Sequence, residues 1–176
     1  MKVFLDTEFI ETEDVLELVS LGMATEDGRE YYGITKNYEY AFDDDWVRQN
    51  VLAPINAEFS SEPFNYKSVS KVFDKFGKTR TEMRDEIKAF LGTVSIEFWS
   101  YFSAYDWVLF CRLFGSMNAM PKNYPYLCND IKQLANSKDL SAKWIRDNYP
   151  KSKKAHNALA DAKWHKEMYE RVISVS

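Results

Sequence analysis

The chain has 176 residues, of which 45% are hydrophobic and 28% charged, a composition typical of a folded protein and not of a disordered or fibrous one. We expect one domain over residues 1–176, long enough to bury a core of its own. The net charge of −4 argues against a general nucleic-acid coat protein, which would be basic, but leaves open an enzyme that gathers carboxylates around metal ions.

The first part of the chain predicts an antiparallel meander of three strands. Short β-rich runs occupy Lys2–Leu5, Leu16–Ala24 and Arg29–Thr35. Asp27-Gly28, between the second and third runs, favours a tight hairpin. We therefore expect these three strands to be neighbours in one sheet.

A helix and then a loop are predicted after the meander. Asp43–Leu52 begins with three aspartates in the first turn, where the helix dipole favours negative charge. These acids therefore indicate a solvated helix start more than a metal site. Pro54 and Pro63 predict that Ala53–Tyr66 is a loop.

The remaining elements alternate between helices and strands. Val69–Phe76 is ambiguous, whereas Thr79–Leu91 is predicted to be a helix because Thr79 and Glu82 form a capping-box pattern and Gly92 follows as a stop. The other predicted elements are a strand at Ser95–Tyr101, a helix at Asp106–Phe114, a short strand at Tyr126–Cys128, and helices at Asp130–Ala135, Ala142–Asn148 and Asn157–Val172.

This order of elements predicts an α/β fold with a mixed five-stranded sheet and helices on both faces. The first three strands are expected to be antiparallel. The fourth strand enters through a long helical connection, so it should lie parallel to the first strand and beside it. The fifth strand is also expected to be parallel, and ligand sites on such sheets form near the carboxyl ends of strands.

Membrane and secretion signals are not predicted. No apolar stretch approaches the roughly 18 residues of a spanning helix. The apolar run after Lys2 is broken by Asp6 and Glu8, unlike a signal peptide. Cys111 and Cys128 lack metal-type spacing and are expected to be small buried hydrophobes in a reducing cytoplasm.

Two carboxylates, Asp6 and Glu8, follow the first predicted strand. A chain this acidic contains about one Asp-x-Glu pair by chance, so the pair alone indicates nothing. Asp106 follows the fourth strand, the predicted neighbour of the first, although it could simply cap the helix that it begins. The arrangement becomes informative only if further residues converge on the same edge of the sheet.

The last predicted helix supplies such residues. His156 and Asp161 are five positions apart, and small or apolar residues surround Asp161. A charge in that setting is costly unless it is paired or binds a metal. The plainer alternative makes His156 a cap and Asp161 a buried ion-pair partner. His165, four residues beyond Asp161, shares its helix face and is expected to be structural.

Three motifs together resemble those of the DEDDh exonucleases in the ribonuclease H-like superfamily. They are DTE (Asp6–Glu8), AYD (Ala104–Asp106) and HNALADA (His156–Ala162), in the order and with the His-to-Asp spacing of that family. The whole chain is similar to the ribonuclease AS type, bacterial enzymes that trim adenylate-rich RNA, through FLDTEFIE, EDGREYY, SIEFW, and AYD with its following Cys and Leu-x-Gly pattern. Phe9-Ile10 and Ser103 depart from the wider family without touching the acids or the histidine.

The resemblance implies a ribonuclease H-like fold and a metal-dependent 3′-5′ exoribonuclease that forms 5′-mononucleotides. Two divalent cations, Mg²⁺ or Mn²⁺, stabilise charge in such phosphodiester cleavage. We expect Asp6 to bridge them, Glu8 and Asp161 to complete the nucleophile side, and Asp106 to support the leaving-group side. Imidazole has an unperturbed pKa of about 6.5, so His156 suits the general base.

Contacts with substrate are expected from residues that flank the motifs. Glu8 would accept a hydrogen bond from the terminal ribose 3′-hydroxyl, as the resemblance implies. Phe9 and Ile10 would meet the terminal base and sugar, whereas Trp107 would be packing. The other predicted substrate-binding residues are Thr7, Tyr105 and His156. Lys151, Lys153 and Lys154 could meet phosphates or form a solvated basic loop.

Other functions remain open at this point. The predicted substrate is the 3′ end of single-stranded, poly(A)-like RNA, but a metal site that reads phosphate does not distinguish RNA from DNA or from very short oligonucleotides. A catalytically silent nucleic-acid-binding module is a third possibility, against which stands the presence of all five chemical residues. The resemblance also implies a homodimer.

Overall fold

The computed structural model describes residues 1–36, 38–148 and 156–175. Five strands form one sheet in the order β3-β2-β1-β4-β5. The strands are β1 (Lys2–Glu11), β2 (Leu16–Thr25), β3 (Glu30–Ile34), β4 (Glu97–Ser100) and β5 (Cys128–Asp130). Strands β1, β2 and β3 pair antiparallel, while β4 pairs parallel with β1 and β5 parallel with β4. The predicted mixed sheet is confirmed and is compatible with a ribonuclease H-like fold.

The helices surround this sheet. They are α1 (Glu39–Asp43), α2 (Asp45–Val47), a π-helical turn (Arg48–Leu52), α3 (Ala53–Phe59), α4 (Tyr66–Phe76), α5 (Arg80–Leu91), α6 (Ala104–Leu113), a 3₁₀ turn (Met117–Ala119), α7 (Ile131–Ser137), α8 (Ala142–Asn148) and α9 (Ala158–Ile173). Among the described residues, no helix is both long and apolar enough to cross a membrane.

Alternate residues of β1 point into different layers of the core. Leu5 packs in a cluster that includes Met83 of α5 and Phe110 of α6. Phe4, its neighbour, packs on the other face with residues of α7 and α9, including Met168. This alternation follows the two-residue period of a strand. Helices therefore cover both faces of the sheet, as predicted.

The region after β3 contains more helix than the sequence predicted. The expected loop over Ala53–Tyr66 is wrong in its first half, because α3 begins at Ala53. The Ala53 N–H bonds to the Arg48 carbonyl five residues back, so the chain enters Pro54 from a wide π-turn. Pro54 lies in the first turn of α3, where proline is tolerated, and the burial of Ile55 adds to the stability of this helix. The ambiguous segment Val69–Phe76 lies in α4.

The bounds of two strands, β1 and β5, differ from those predicted from the sequence. The fifth strand lies at Cys128–Asp130, two residues later than predicted, because Phe98 of β4 pairs with Cys128 and leaves Tyr126 and Leu127 exposed. Strand β1 continues to Glu11 because its pairing with β2 continues, whereas its pairing with β4 ends at Phe4. The residues beyond Phe4 therefore lie at the carboxyl end of the parallel part of the sheet.

Gly22 of β2 allows α9 to lie directly on the sheet. It is the partner of Asp6 in the β1–β2 ladder. A Cβ atom at position 22 would lie 2.2 Å from the Ala158 carbonyl carbon and 2.3 Å from the Leu159 nitrogen. Only a residue without a side chain permits this approach. The first turn of α9 is thereby held beside the middle of β1.

Candidate active site

A cleft of about 640 Å³ opens where β1 leaves its partner β4. Four parts of the chain contribute its walls: β1, α2, the loop after β4, and the start of α9. The described residues that line it are Asp6, Thr7, Glu8, Phe9, Glu11, Asp44, Trp46, Val47, Tyr101, Phe102, His156, Asp161, Trp164 and His165.

Three of the predicted chemical residues meet inside this cleft. Glu8, His156 and Asp161 each offer a ligand atom, and these atoms lie within 4.8 Å of one another. Glu8 is only 8% exposed, so its carboxylate is largely shielded from bulk water. Carboxylate oxygens are the ligands that hard divalent cations prefer, and imidazole can either bind a metal or accept a proton. The donor set therefore fits a divalent cation.

A backbone hydrogen bond explains the spacing between His156 and Asp161. The His156 N–H donates to Asp161 Oδ2 at 2.7 Å. His156 has a φ of 67°, in the left-handed region, and Asn157 then caps α9 by accepting from the Ala160 N–H at 3.0 Å. The side chain of His156 meets the Trp46 ring edge-on at 4.8 Å between centroids. His156 is thus held to α9 by the same carboxylate that faces the cleft.

Asp6 lies beside His165, which the sequence had indicated as structural. The His165 ring is 3% exposed, and its Nδ1 is 2.9 Å from the Leu5 carbonyl oxygen. Because a carbonyl oxygen only accepts, Nδ1 carries the hydrogen. The other nitrogen, Nε2, lies 3.7 Å from Asp6 Oδ1. His165 therefore connects α9, one turn after Asp161, to the part of β1 that carries Asp6.

Asp106 is directed at the sheet. Its Oδ1 accepts from the Thr7 N–H at 3.0 Å and the Thr7 hydroxyl at 2.6 Å, and its Oδ2 accepts from the Ser100 hydroxyl at 2.5 Å. Burial raises the pKa of Asp106 to about 6, although these hydrogen bonds oppose the shift. Asp106 is not among the described residues that line the cleft. Its carboxylate bonds to β1 just beyond the end of the pairing with β4.

The predicted substrate-binding residues divide into three positions. Thr7 and Phe9 line the cleft together with Glu8 and His156. The Phe9 ring stacks on Tyr105, with centroids 5.3 Å apart and planes 19° apart. Tyr105 is not among the described lining residues; its hydroxyl donates to Glu11 Oε1 at 2.5 Å, and this bond raises the pKa of the Tyr105 phenol. Tyr105 therefore supports Phe9 from behind.

Ile10 lies away from the cleft. It is 3% exposed and packs in the cluster that includes Val19, Val51 and Leu52. The register shift opposite Glu8 and Phe9 leaves Val19 of β2 as the extra residue, so the alternation of β1 continues and Ile10 lies on the same face of the strand as Glu8. The structure thus places Ile10 in the core. Lys151, Lys153 and Lys154 lie outside the described residues.

Several lining residues were not predicted from the sequence, and Trp46, Phe102, Asp44 and His165 are the most informative of them. Trp46 and Phe102 are large aromatic residues that stay 53% and 63% exposed beside the carboxylates. Asp44 caps α2 by accepting from the Val47 N–H at 2.8 Å, and it also lines the cleft. Asp44 and Asp45 thus stand at a helix start as predicted, whereas Asp43 ends α1. His165 was expected to be structural, and its position beside Asp6 was not predicted. The sequence offered one signal for these residues, which is the tryptophan, Trp46, directly after the three aspartates.

Comparisons with known proteins relate the whole chain to a family of known description. Residues 1–173 match the family described as the Rv2179c-like 3′-5′ exoribonuclease domain. Two relatives from Mycobacterium tuberculosis, the 3′-5′ exoribonuclease Rv2179c of strain ATCC 25618 / H37Rv and the 3′-5′ exoribonuclease MT2234.1 of strain CDC 1551 / Oshkosh, are each 32% identical over 166 residues. Each match covers 93% of this chain and 88% of the relative.

Proposed function

Because the chain belongs to the Rv2179c-like 3′-5′ exoribonuclease family, we propose that it is a metal-dependent exonuclease of the DEDDh type that shortens RNA from its 3′ end to 5′-mononucleotides. The observation that carries this proposal is the meeting of Glu8, His156 and Asp161 in one cleft beside Asp6. In the structure these residues come from opposite ends of the chain, Glu8 from β1, His156 from just before α9, and Asp161 from its first turn. Their convergence gives the cleft the donor set of a hydrolytic metal site.

The residues proposed to hold two divalent cations, Mg²⁺ or Mn²⁺, are Asp6, Glu8, Asp161 and Asp106. The first three line the cleft, and their oxygens suit hard cations. Asp106 bonds to Thr7 and Ser100, and each carboxylate oxygen can accept more than one bond, so it remains a proposed ligand. When bound, the two cations would stabilise the charge that develops on the attacking and leaving oxygens.

His156 is proposed to be the general base. Its imidazole shares the cleft with Glu8 and Asp161 and would accept the proton of the attacking water. The backbone bond to Asp161 and the Trp46 ring hold the histidine at the start of α9. A base must lie within hydrogen-bond reach of its proton, and this anchoring limits the positions that the ring can take.

His165 is proposed to position Asp6. Its Nδ1–H bond to the Leu5 carbonyl fixes the ring, and Nε2 lies 3.7 Å from Asp6 Oδ1, where an imidazolium with both nitrogens protonated would pair with the carboxylate. Partners behind metal-binding carboxylates commonly fix their orientation, and their loss weakens metal binding by about 10- to 100-fold. His165 thus acts through Asp6 and does not itself meet the substrate.

The proposed substrate is the 3′ end of single-stranded, adenylate-rich RNA. The aromatic ring of Phe9 lines the cleft, backed by Tyr105, and unpaired bases stack on such rings. Glu8 is proposed to accept a hydrogen bond from the terminal 3′-hydroxyl. The preference for adenylate follows from the resemblance to the ribonuclease AS type.

Further proposals concern the whole chain. We propose that residues 1–176 form one exonuclease domain, which the family match over residues 1–173 supports. A reducing cytoplasmic location is consistent with Cys111 and Cys128, both free thiols. The homodimer stays a prediction from the resemblance.

The direct test is digestion of end-labelled oligonucleotides. Oligo(A), oligo(U) and oligo(dA) are incubated with Mg²⁺, Mn²⁺ or EDTA, beside Asp6→Ala and His156→Ala. We expect metal-dependent shortening of oligo(A) from the 3′ end, lost in Asp6→Ala and strongly reduced in His156→Ala.

Each of the other possible results would favour one of the alternative functions. Equal digestion of oligo(dA) would favour a DEDDh exonuclease without sugar preference, and equal digestion of oligo(U) would remove the adenylate claim. Binding of RNA without cleavage under any metal condition would favour the silent module and overturn the enzyme proposal. Full activity of His156→Ala would move the base elsewhere.

A further inference from the structure

Phe102 has an unusual backbone at an exposed position of the cleft. Its φ is 60°, in the left-handed region, and its side chain is 63% exposed. A bulky residue rarely adopts this conformation, because its Cβ meets the neighbouring carbonyl. An exposed aromatic ring also gains little from burial. Glycine or asparagine would satisfy the same backbone at lower cost.

Hydrogen bonds on both sides fix the segment that carries Phe102. The Ser103 N–H donates to Asp130 Oδ2 at 2.8 Å, and Asp130 Oδ1 also accepts from the Gln133 N–H at 3.0 Å, so the carboxylate is anchored at the start of α7. Ser100, two residues before Phe102, bonds to the buried carboxylate of Asp106. The conformation is therefore set by its neighbours and does not depend on the Phe102 ring.

The ring continues a row of aromatic side chains that ends in the cleft. Phe102 meets Tyr101 edge-on at 4.4 Å between centroids, and Tyr101 meets Trp164 of α9 at 5.5 Å. All three line the same cleft as Glu8 and His156. Strained residues concentrate at functional sites, where neighbouring structure maintains them. The contacts around Phe102 therefore indicate that its strained backbone serves ligand binding in the cleft.

We propose that Phe102 is a nucleobase-stacking residue that sets the affinity of the cleft for single-stranded RNA; this rests on the exoribonuclease function proposed above. A base has a flat π-face and needs a flat, accessible ring, which the fixed loop supplies. A protein partner is less well matched, because carboxylates share the cleft with the ring and would lose solvation on burial.

The test uses substitutions with opposite expected effects on stability and binding. Phe102→Gly removes both the ring and the strain, so its unfolding temperature should equal or exceed that of the unmodified protein. Stacking on an aromatic residue is substantial, so KM for oligo(A) should rise about tenfold while kcat stays within about twofold. Phe102→Tyr keeps a ring and should retain KM.

Two matched controls separate the ring from the backbone. Asp139 has a φ of 57° and is exposed, so Asp139→Gly places glycine at another left-handed position, outside the described cleft lining, and should not change KM. Tyr126 is 67% exposed and also outside that lining, so Tyr126→Ala removes an exposed ring elsewhere. Affinity for labelled oligo(A) in EDTA, measured by anisotropy, reports on binding without cleavage.

The outcomes distinguish this inference from the proposed function. An unchanged KM and an unchanged affinity in Phe102→Gly, with normal trimming by the unmodified protein, would overturn the stacking role alone. A lower unfolding temperature of Phe102→Gly with unchanged affinity would make the ring structural, and a changed oligomeric state would make it a protein contact; either overturns the inference. Absence of RNA trimming by the unmodified protein would instead overturn the proposed function.

Discussion

Gly22 offers a direct way to move one half of the candidate site against the other. Gly22→Ala adds a single methyl group between β2 and the first turn of α9. That methyl would lie 2.2 Å from the Ala158 carbonyl carbon, whereas ordinary contacts begin at 3.4 Å. The obstructing atoms are backbone, so no side-chain rotation relieves the overlap. The start of α9 has to move by about 1.2 Å.

This displacement has two expected consequences. Overpacking a tight core costs about 1–3 kcal/mol. For a domain of this size, that lowers the unfolding temperature by roughly 2–12 °C. Asp161 lies in the same first turn of α9 as Ala158 and faces Glu8 across the cleft. A misplacement of about 1 Å at reacting groups can lower the rate by about 100-fold. We therefore expect a large loss of kcat at temperatures where the variant is still folded.

The assay measures kcat on oligo(A) well below the unfolding temperature, together with thermal unfolding by circular dichroism. Gly33→Ala is the matched control, because its added methyl would meet the ends of the Tyr31 and Met83 side chains, which can move. We expect the control to retain kcat. Unchanged kcat and unchanged unfolding temperature in Gly22→Ala would refute the claim that this close contact positions Asp161.

Three further predictions concern groups around the cleft. The fold raises the pKa of Asp106, so this carboxyl opposes folding above pH 6 and ceases to do so as the pH falls toward 4. Asp106→Asn measured in EDTA should therefore gain unfolding free energy relative to the unmodified protein as the pH rises from 4.5 to 7.5, by about 2 kcal/mol; a constant difference would contradict it. His165→Asn, which keeps a donor near the Leu5 carbonyl, should raise the Mg²⁺ concentration for half-maximal activity about tenfold, while His165→Gln, which reaches Asp6, should raise it less; equal values would contradict the positioning role. Trp46→Ala removes the ring that meets His156, so kcat should fall severalfold with little change in unfolding temperature, and an unchanged kcat would show that the ring is dispensable.

The sequence predicted the part of the site that depends on motif order and strand position. Asp6 and Glu8 could be placed at the carboxyl end of a parallel pair, because the order of elements required the first and fourth strands to be neighbours. The His156-to-Asp161 spacing has a local cause, since the Asp161 carboxylate accepts the His156 N–H one turn away. Local spacing of this kind is visible in a sequence.

Other features depended on contacts between distant segments. Nothing local to Phe102 indicates a left-handed backbone, because the conformation is held by Asp130, 28 residues later. His165 shares a helix face with Asp161, but its contact with Asp6 depends on how closely α9 approaches β1. Likewise, the loop predicted from Pro54 is wrong, because the preceding π-turn and the burial of Ile55 favour a helix at this position.

The central claim is that carboxylates of the cleft make the chain a metal-dependent enzyme acting from RNA 3′ ends. The most direct measurement is a time course on 5′-labelled oligo(A) with Mg²⁺, comparing the unmodified protein with Glu8→Gln, which preserves the size of the side chain but removes its charge. We expect a ladder that shortens one nucleotide at a time with the unmodified protein, no shortening in EDTA, and a cleavage rate lower by about 100-fold or more in Glu8→Gln. Shortening that persists in EDTA, or undiminished activity of Glu8→Gln, would contradict it.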